Sequence, residues 1–258
     1  ISRRRSLPQW RSDTFWRPGA RHDSGEKAGF IGREQALQLA AAGERVAVLF
    51  VDTFNGMFES ENAWAAARVL QAAGYALHVP QRGRRNHCCG RTWLATGMVD
   101  RAKASAGALV EALAPLAAAG IPIVGLEPSC LLTLRDETLV MGLGESARSV
   151  ASQALLFEEF VAAEARAGRF RLELRAAGAP ILVHGHCHQK AFDAVDPILE
   201  VVRLIPGAAP ELVQASCCGM AGSFGYEARH YEVSIAMAEA ALLPAIRARP
   251  DAIVVADG

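Results

Sequence analysis

The sequence has no excess of charge of either sign and no long apolar run. Lys and Arg together number 27, and Asp and Glu also number 27, so the formal net charge is zero. A balanced charge argues against a nucleic-acid-binding protein, and the short run Arg3-Arg4-Arg5 is too local to change this. No stretch reaches the roughly 18 uninterrupted apolar residues that a membrane helix needs, so we expect no membrane span.

A secretion signal is not visible either, because the first 30 residues are polar, basic and aromatic without an apolar core. We therefore expect a cytoplasmic protein, in solution or held peripherally at the inner face of the membrane. The chain begins at Ile1 and ends at Gly258 on an apparent strand. We expect both ends to be cuts within a longer protein.

The sequence contains six cysteines, and their arrangement is its most informative feature. Four form the adjacent pairs Cys88-Cys89 and Cys217-Cys218, and the others are Cys130 and Cys187. Adjacent cysteines are poorly placed to form a disulfide with each other. Thiols that stay reduced in a cytoplasm are more often metal ligands or redox groups, so these six point to such chemistry.

Apolar runs and alanine-rich segments alternate along the chain and predict an α/β fold. Each half contains a strand, a helix, a strand, a Cys-Cys-Gly loop, a long helix and a strand. We predict two pseudo-repeated parallel-sheet halves with covering helices. The predicted domains are 1–43, a linker and short helix that end an upstream region; 44–170, the first half; and 171–258, the second half, truncated at its C-terminus.

The predicted elements have the following bounds. The strands are 45–52, 75–80, 121–126, 180–184, 211–215 and 252–256. The helices are 34–42, 61–73, 92–119, 145–167, 190–204 and 227–248. Pro115 should interrupt the third helix and Pro244 should bend the last one. Val233, Met237, Ala240 and Leu243 should form one apolar face of the last helix.

Every cysteine follows a predicted strand, which is where sites gather in parallel α/β folds. Cys130 can join the first pair and Cys187 the second. We call Cys88, Cys89 and Cys130 the first site, and Cys187, Cys217 and Cys218 the second site. Thiolates converging from different loops suit soft metals and iron–sulfur clusters. Gly90 and Gly219 follow the pairs and would let the backbone approach closely.

Several motifs resemble the cysteine-rich CCG domain of the heterodisulfide reductase B subunit, the glycolate oxidase iron–sulfur subunit and lactate-utilisation proteins. The resemblance covers about residues 45–258. The closest branch is the C-terminal part of FAD-linked dehydrogenases for D-lactate or D-2-hydroxyglutarate. The motifs are His87-Cys88-Cys89-Gly90, Leu126-Glu127-Pro128-Ser129-Cys130, His184-Gly185-His186-Cys187-His188-Gln189-Lys190 and Ser216-Cys217-Cys218-Gly219-Met220-Ala221-Gly222.

The resemblance implies an iron–sulfur electron-transfer module, with clusters of the 4Fe-4S type at the two sites. His186 and His188 would be further cofactor-binding residues, together with Gly90 and Gly219. No catalytic residue is expected in this chain. An upstream FAD domain would take a hydride from a 2-hydroxy acid such as D-lactate, glycolate or D-2-hydroxyglutarate. Ferredoxin-like domains or subunits and this chain would then pass electrons to a quinone or another acceptor, and this chain alone should be inactive.

The sequence departs from the family pattern of a lone Cys, a Cys-Cys pair and a Cys-x-x-Cys at both sites. In the first half Thr53 takes the place of the lone cysteine, and Glu127 takes that of the first cysteine in Cys-x-x-Cys. In the second half Cys187 and the Cys217-Cys218 pair fit, and the last cysteine would fall just beyond Gly258. We therefore expect the second site to be the better cluster site.

Other interpretations of the same residues remain open at this point. Cys187, Cys217, Cys218 and one histidine could form a structural zinc site. Vicinal cysteines could instead act directly in thiol–disulfide exchange, and a non-enzymatic interaction module has little support. His186 and His188 could be ligands, donors to cluster sulfur or ordinary loop histidines. Arg91, Arg135 and Lys190 could offset cluster charge, dock an acidic partner or lie on the surface.

Overall fold

The computed structural model describes residues 1–17, 29–82 and 85–257, and it confirms the predicted α/β fold. The chain forms two compact units, a first unit of residues 10–172 and a second unit of residues 1–9 and 173–258. Pro18 and Gly19, in the predicted linker, lie outside the described residues. In the described ranges, no helix is long and apolar enough to cross a membrane.

The first unit contains six strands and nine helices among its described residues. The strands are β1 Val46–Phe50, β2 Ala76–His78, β3 Gln81–Arg82, β4 Arg85–Asn86, β5 Ile123–Gly125 and β6 Ala154–Leu156. The helices are α1 Arg33–Ala41, α2 Thr53–Met57, α3 Ser60–Ala72, α4 Arg91–Ala95, α5 Val99–Ala118, α6 Pro128–Arg135, α7 Glu137–Val140, α8 Gly144–Gln153 and α9 Phe157–Arg166.

The second unit is smaller and follows the same plan. Its strands are β7 Ile181–His184, β8 Pro210–Leu212 and β9 Ile253–Ala256. Its helices are α10 Cys187–Ala191, α11 Asp196–Arg203, α12 Tyr231–Glu239 and α13 Leu242–Ala248. Two short 3₁₀ turns, Phe224–Tyr226 and Ala228–His230, precede α12.

The two sheets share a strand order that demonstrates the internal repeat. In the first unit the order is β2-β1-β5-β6, and in the second it is β8-β7-β9, with all of these strands parallel. In each sheet the first strand of the half is therefore central: β1 lies between β2 and β5, and β7 lies between β8 and β9. Strands β1 and β7 are buried along their whole length, as central strands covered on both faces must be.

Two long helices predicted in the first unit are each interrupted in the structure. Residues 145–167 are not one helix, because Ala154–Leu156 form β6 and pair with β5. The local sequence favours a helix, but burial of Ala154 and Leu156 at the sheet edge outweighs that propensity. Residues 92–119 break at Gly97, whose φ of +77° ends α4, and not at Pro115, which lies inside α5.

Two predicted helices of the second unit are also divided. Residues 190–204 separate into α10 and α11, with Asp193 in the left-handed region and Pro197 in the first turn of α11. Residues 227–248 separate into α12 and α13 at Ala240-Ala241. Since a proline ring clashes with the carbonyl four residues earlier, Pro244 ends the continuous helix at this point.

The predicted apolar face of the last helix is also wrong. Val233 and Met237 are exposed, whereas Ser234, Ala238 and Leu242 are buried. Small side chains on the inner face allow the close approach of the second Cys-Cys-Gly loop that is described below. The buried face of α12 therefore carries the small residues Ser234 and Ala238, and the larger apolar residues Val233 and Met237 face outward.

Candidate functional site

Both sites are built from loops at the carboxyl ends of parallel strands. In each unit the central strand leads directly into a short helix, and the first residue of that helix is Thr53 in α2 and Cys187 in α10. Asp52 caps α2 and His186 caps α10, so these loops match residue for residue. The fold therefore places Thr53 where the second unit has its lone cysteine.

The first Cys-Cys-Gly loop follows the β3–β4 hairpin and the second follows β8, and their glycines touch α5 and α12. A Cβ on Gly90 would lie 2.6 Å from the carbonyl oxygen of Ala102, and one on Gly219 would lie 2.1 Å from that of Ser234. Both glycines also have positive φ, of +89° and +84°. Only glycine fits at these two positions, which presses each cysteine pair against its helix.

Main-chain N–H groups point at the cysteine sulfurs in the same way at both sites. Gly90 N donates to Cys88 Sγ over 3.4 Å, and Gly219 N donates to Cys217 Sγ over 3.3 Å. Such N–H···S bonds stabilise negative charge on sulfur and tune the potential of thiolate-bound metal groups. The two loops therefore share this N–H···S bond, although Thr53 replaces the lone cysteine of the family pattern in the first site.

The first site gathers its three thiols in one hydrogen-bonded chain. Cys88 and Cys89 hydrogen-bond to each other, and Cys89 also hydrogen-bonds to Cys130 in the first turn of α6. Thr53 hydrogen-bonds to Cys88 and accepts a 2.9 Å bond from Asn86 Nδ2. Cys89 and Cys130 are buried. Thr53, at the position where the family pattern has a cysteine, forms the last hydrogen bond of this chain, to Cys88.

The surroundings of the first site disfavour thiolates. The hydrogen bond with Cys89 raises the pKa of Cys88, and the bond with Cys130 raises the pKa of Cys89. The bond from Cys89 lowers the pKa of Cys130, but burial and the nearby Asp52 and Glu127 carboxylates outweigh it and raise that pKa overall. The first site is therefore an acidic, buried pocket.

Glu127 does not act as a free ligand at this site. Its side chain caps α6 by accepting the Ser129 N–H over 3.1 Å, and it also accepts the Ser129 hydroxyl. A carboxylate at a helix N-terminus is stabilised by the helix dipole. The structure thus favours the helix-start interpretation of Glu127, and the negative charge remains beside Cys130.

The second site brings together Cys187 from α10 and the Cys217-Cys218 pair after β8. Burial raises the pKa of Cys187 and a hydrogen bond with Cys217 adds to this, whereas Lys190 lowers it. Cys187 Sγ also contacts the Ser216 carbonyl at 3.9 Å. The three cysteines assigned to the second site from the sequence therefore meet at one place.

His186, Gln189 and Asp257 fix the loop that carries Cys187. His186 Nδ1 accepts the His188 N–H over 3.1 Å, and Gln189 Oε1 accepts the His186 N–H over 2.8 Å. Gln189, which is fully buried, donates from Nε2 to Asp257 Oδ2 over 2.7 Å. The Cys187 loop is thereby tied to the end of β9, and one nitrogen of His186 serves as a helix cap.

The three cations noted in the sequence differ in their surroundings. Arg91 pairs with Glu137, and Arg135 pairs with Glu159 over 2.7 Å, so both charges are balanced within the first unit. Lys190 instead donates to the main-chain carbonyls of Ala215 and Ser216. Of the three, Lys190 is the one that lies within a cysteine site, and its acceptors are main-chain carbonyls.

The thiol donors of these sites fit an iron–sulfur cluster, which cysteine thiolates bind. In the described ranges, no group of three His, Cys, Asp or Glu side chains is placed to hold a metal ion. A cluster distributes its thiolate ligands over several irons and does not need them to converge on one point. The second site, with three thiols and a cation, fits such a cluster.

Direct thiol–disulfide exchange does not fit the cysteines of the first site or Cys187. That chemistry requires an accessible thiolate with a low pKa. The pKa values of Cys88, Cys89, Cys130 and Cys187 are all raised, and two of these thiols are buried. These four cysteines are therefore poor nucleophiles in the absence of a bound metal group.

Sequence reasoning missed Asp52 and Gln189, which shape the two sites. Asp52 could have been found as an N-cap residue between a buried strand and a helix. Gln189 lies three residues after His186, the spacing at which a glutamine side chain reaches back to the cap. Its bond to Asp257 had no local signal, because 68 residues separate the partners.

Comparison with known proteins agrees with this geometry. The model of the CCG cysteine-rich domain family matches residues 53–135 and 181–258. The C subunit of the anaerobic glycerol-3-phosphate dehydrogenase of Escherichia coli K12 is 26% identical over 242 residues, which cover 92% of this chain and 55% of that protein.

Two further relatives are D-2-hydroxyglutarate dehydrogenases. The enzyme of Escherichia coli K12 is 26% identical over 220 residues, or 83% of this chain and 20% of its own length. The enzyme of Pantoea ananatis is 26% identical over 217 residues, or 82% of this chain and 20% of its own length. The chain thus spans about half of one relative and a fifth of the others.

Proposed function

Because the chain belongs to the cysteine-rich CCG domain family, we propose that it is the iron–sulfur electron-transfer module of a dehydrogenase. The observation that carries this proposal is the meeting of Cys187 with Cys217 and Cys218 at the ends of two parallel strands. The relatives named above are dehydrogenases or parts of dehydrogenases, which supports an oxidoreductase role. The module would serve that role as one part of a larger enzyme.

The second site would hold the cluster through Cys187, Cys217 and Cys218. A bound cluster of the 4Fe-4S type supplies one-electron transfer. The protein supplies the surroundings: the Gly219 N–H faces the Cys217 sulfur, and the Gln189–Asp257 bond holds the Cys187 loop. His186 and His188 lie beside Cys187, with ring centroids 5.1 Å apart, and would shield this side of the site.

The first site is a weaker candidate for the same group. Thr53 and Glu127 replace two thiolates, and Glu127 is engaged as a helix cap. Cys88, Cys89 and Cys130 hydrogen-bond to one another, and buried carboxylates lie nearby. We propose that electrons pass mainly through the second site.

The substrate would be oxidised outside this chain. We propose an upstream FAD domain that takes a hydride from a 2-hydroxy acid such as D-lactate, glycolate or D-2-hydroxyglutarate. Ferredoxin-like domains or subunits and this module would carry the electrons onward to a quinone or another carrier. The relatives' names support a hydroxyl-bearing carbon as the site of oxidation, since D-2-hydroxyglutarate and glycerol 3-phosphate both carry one.

The iron, sulfide and zinc contents of the intact protein, purified without oxygen, test this proposal. Cys217→Ala and Cys88→Ala variants are measured beside the wild type. We expect iron and sulfide in the wild type, a loss of most iron in Cys217→Ala, and little loss in Cys88→Ala.

The other outcomes are equally informative. Equal iron loss in both variants would mean that the first site also binds a cluster despite Thr53 and Glu127. Stoichiometric zinc, with iron absent from the wild type, would make this a structural metal domain and overturn the electron-transfer proposal.

A further inference from the structure

Lys190 lies between the two loops that carry the cysteines of the second site. Its ammonium donates to the carbonyl of Ala215 and, over 3.3 Å, to that of Ser216, the residue that precedes Cys217. The Cys187 sulfur contacts the same Ser216 oxygen. The ammonium and the sulfur therefore share one acceptor, which places a full positive charge at the edge of the thiol group.

The position of this lysine is set by its helix and by its carbonyl partners. Its Cε lies near Gly185, since a Cβ added to that glycine would be 3.6 Å from it. Lys190 belongs to α10, the same short helix that starts at Cys187 and is held by Gln189. The charge is thus attached to the element that carries a proposed ligand.

The acceptors of Lys190 are peptide carbonyls, which carry no net charge. They orient the ammonium without neutralising it, in contrast to the glutamates that pair with Arg91 and Arg135. The field of Lys190 reaches neighbouring groups, since after burial it is the next cause that lowers the pKa of His184. The Lys190 ammonium therefore contributes a positive field at the second site, next to the Ser216 carbonyl.

The first site has buried carboxylates beside its thiols. Asp52 caps α2 where His186 caps α10, and its carboxylate is buried beside Cys130. Glu127 adds a second buried carboxylate. In the second unit the Asp257 carboxylate accepts a bond from Gln189, and the Lys190 ammonium lies beside the Ser216 carbonyl that the Cys187 sulfur contacts. An ammonium close to the thiols stabilises a negative charge there, whereas neighbouring carboxylates destabilise one.

We propose that Lys190 is the charge-compensating residue of the second site, and that its ammonium makes this site the one that holds an added electron. This inference rests on the function proposed above. Uptake of one electron from a reduced donor adds one negative charge and breaks no bond. A fixed cation next to the thiolates lowers the free energy of the reduced form relative to the oxidised form.

The test is a reductive titration of the intact, anaerobically purified protein with sodium dithionite, followed by absorbance and electron paramagnetic resonance. Four proteins are compared: wild type, Lys190→Met, Lys190→Arg and Lys103→Met. Lys103 is an exposed lysine of α5, so its variant makes the same change of net charge in the unit that does not contain the second site. The signal that disappears in Cys217→Ser belongs to the second site.

We expect Lys190→Met to retain iron and to lower the midpoint of the second-site signal. A tenfold shift of the reduction equilibrium corresponds to about 59 mV for one electron, and we expect a change of that order. Lys190→Arg should restore most of it, and Lys103→Met should leave the midpoint unchanged. If Lys190→Met loses iron while Lys190→Arg keeps it, the charge is needed to hold the anionic group, which also supports the inference.

Three results would overturn it. An unchanged midpoint in iron-replete Lys190→Met would show that the ammonium does not act on the electron, while leaving the proposed function intact. Iron loss in both Lys190 variants would mean that the site needs the lysine's shape and carbonyl bonds and not its charge. Absence of iron from the wild type would instead remove the proposed function, and this inference with it.

Discussion

At the scale of single residues, glycine decides how close each cysteine pair lies to the helix behind it. Gly219 faces the Ser234 carbonyl and Gly90 faces the Ala102 carbonyl, both at distances that leave no room for a side chain. A methyl group at either place would meet main-chain atoms, which cannot rotate away as a flexible side chain can. The third residue of each Cys-Cys-Gly motif is therefore a steric requirement of the fold.

Gly219→Ala should destabilise the second unit strongly. The positive φ costs an alanine about 1–2 kcal/mol, and the backbone clash brings the expected total to about 3 kcal/mol. Gly222→Ala is the matched control, because Gly222 has a φ of +61° with nothing within 4 Å of its added Cβ. Gly222→Ala should therefore lower the free energy of unfolding only by the cost of the positive φ, about 1–2 kcal/mol. Urea unfolding followed by circular dichroism measures both, and equal effects would show that the clash is relieved.

At the scale of elements, α10 is short but connects three parts of the second unit. It begins at Cys187 after β7, and its Lys190 reaches the residues that precede Cys217. Its Gln189 reaches Asp257 after β9. A five-residue helix has little stability of its own, so these tertiary bonds hold its orientation.

Gln189→Ala should loosen the Cys187 loop. The change removes two buried hydrogen bonds, one of them to a carboxylate, and should lower the free energy of unfolding by about 1–3 kcal/mol. It should also reduce the iron retained by the intact protein after gel filtration. Asp257→Asn is the milder comparison, since an asparagine oxygen can still accept the bond from Gln189. Full iron retention in Gln189→Ala would show that the loop holds its position without this tie.

At the scale of the whole molecule, a polar cluster beside α9 links segments of the first unit that are far apart in sequence. Glu164 accepts two bonds from Arg169, of 2.8 and 2.6 Å, and also accepts the Tyr75 hydroxyl. Arg45, just before β1, lies over the Tyr75 ring at 4.2 Å. The hydrogen bonds from Arg169 are the largest cause that lowers the pKa of Glu164.

This lowered pKa predicts an acid-sensitive contribution to stability. A carboxyl whose pKa is lower in the folded state stabilises the fold above its unfolded pKa, about 4.5 here, and this stabilisation is lost as the pH falls through the folded value. Glu164→Gln should therefore cost about 1–2 kcal/mol at pH 7 and less at pH 3.

Tryptophan fluorescence during urea unfolding is a suitable probe, because Trp10, Trp16, Trp64 and Trp93 all belong to the first unit. Glu145→Gln is the control, since Glu145 lies in an exposed pair with Arg148. It should change the stability little at either pH. A cost for Glu164→Gln that does not vary with pH would refute the assignment.

The amino-acid sequence by itself determined the repeat, the parallel α/β class, the two cysteine trios and the likeness to the CCG family. These follow from local signals: buried strands such as 46–50 are continuous apolar runs, and each Cys-Cys-Gly loop lies between a strand and a helix. The departures at Thr53 and Glu127 were also readable, because the family pattern has cysteines at those two places.

Only the tertiary structure decided where the long helices break and what surrounds the thiols. Ala154–Leu156 form a strand because β5 offers an edge to pair with, and the helix propensity of those residues is weaker than that pairing. The charges that separate the two sites come from residues distant in sequence: Asp52 lies beside Cys130, and Lys190 lies beside Ser216. Electrostatic fields depend on distance in space, and the sequence does not record that distance until the chain folds.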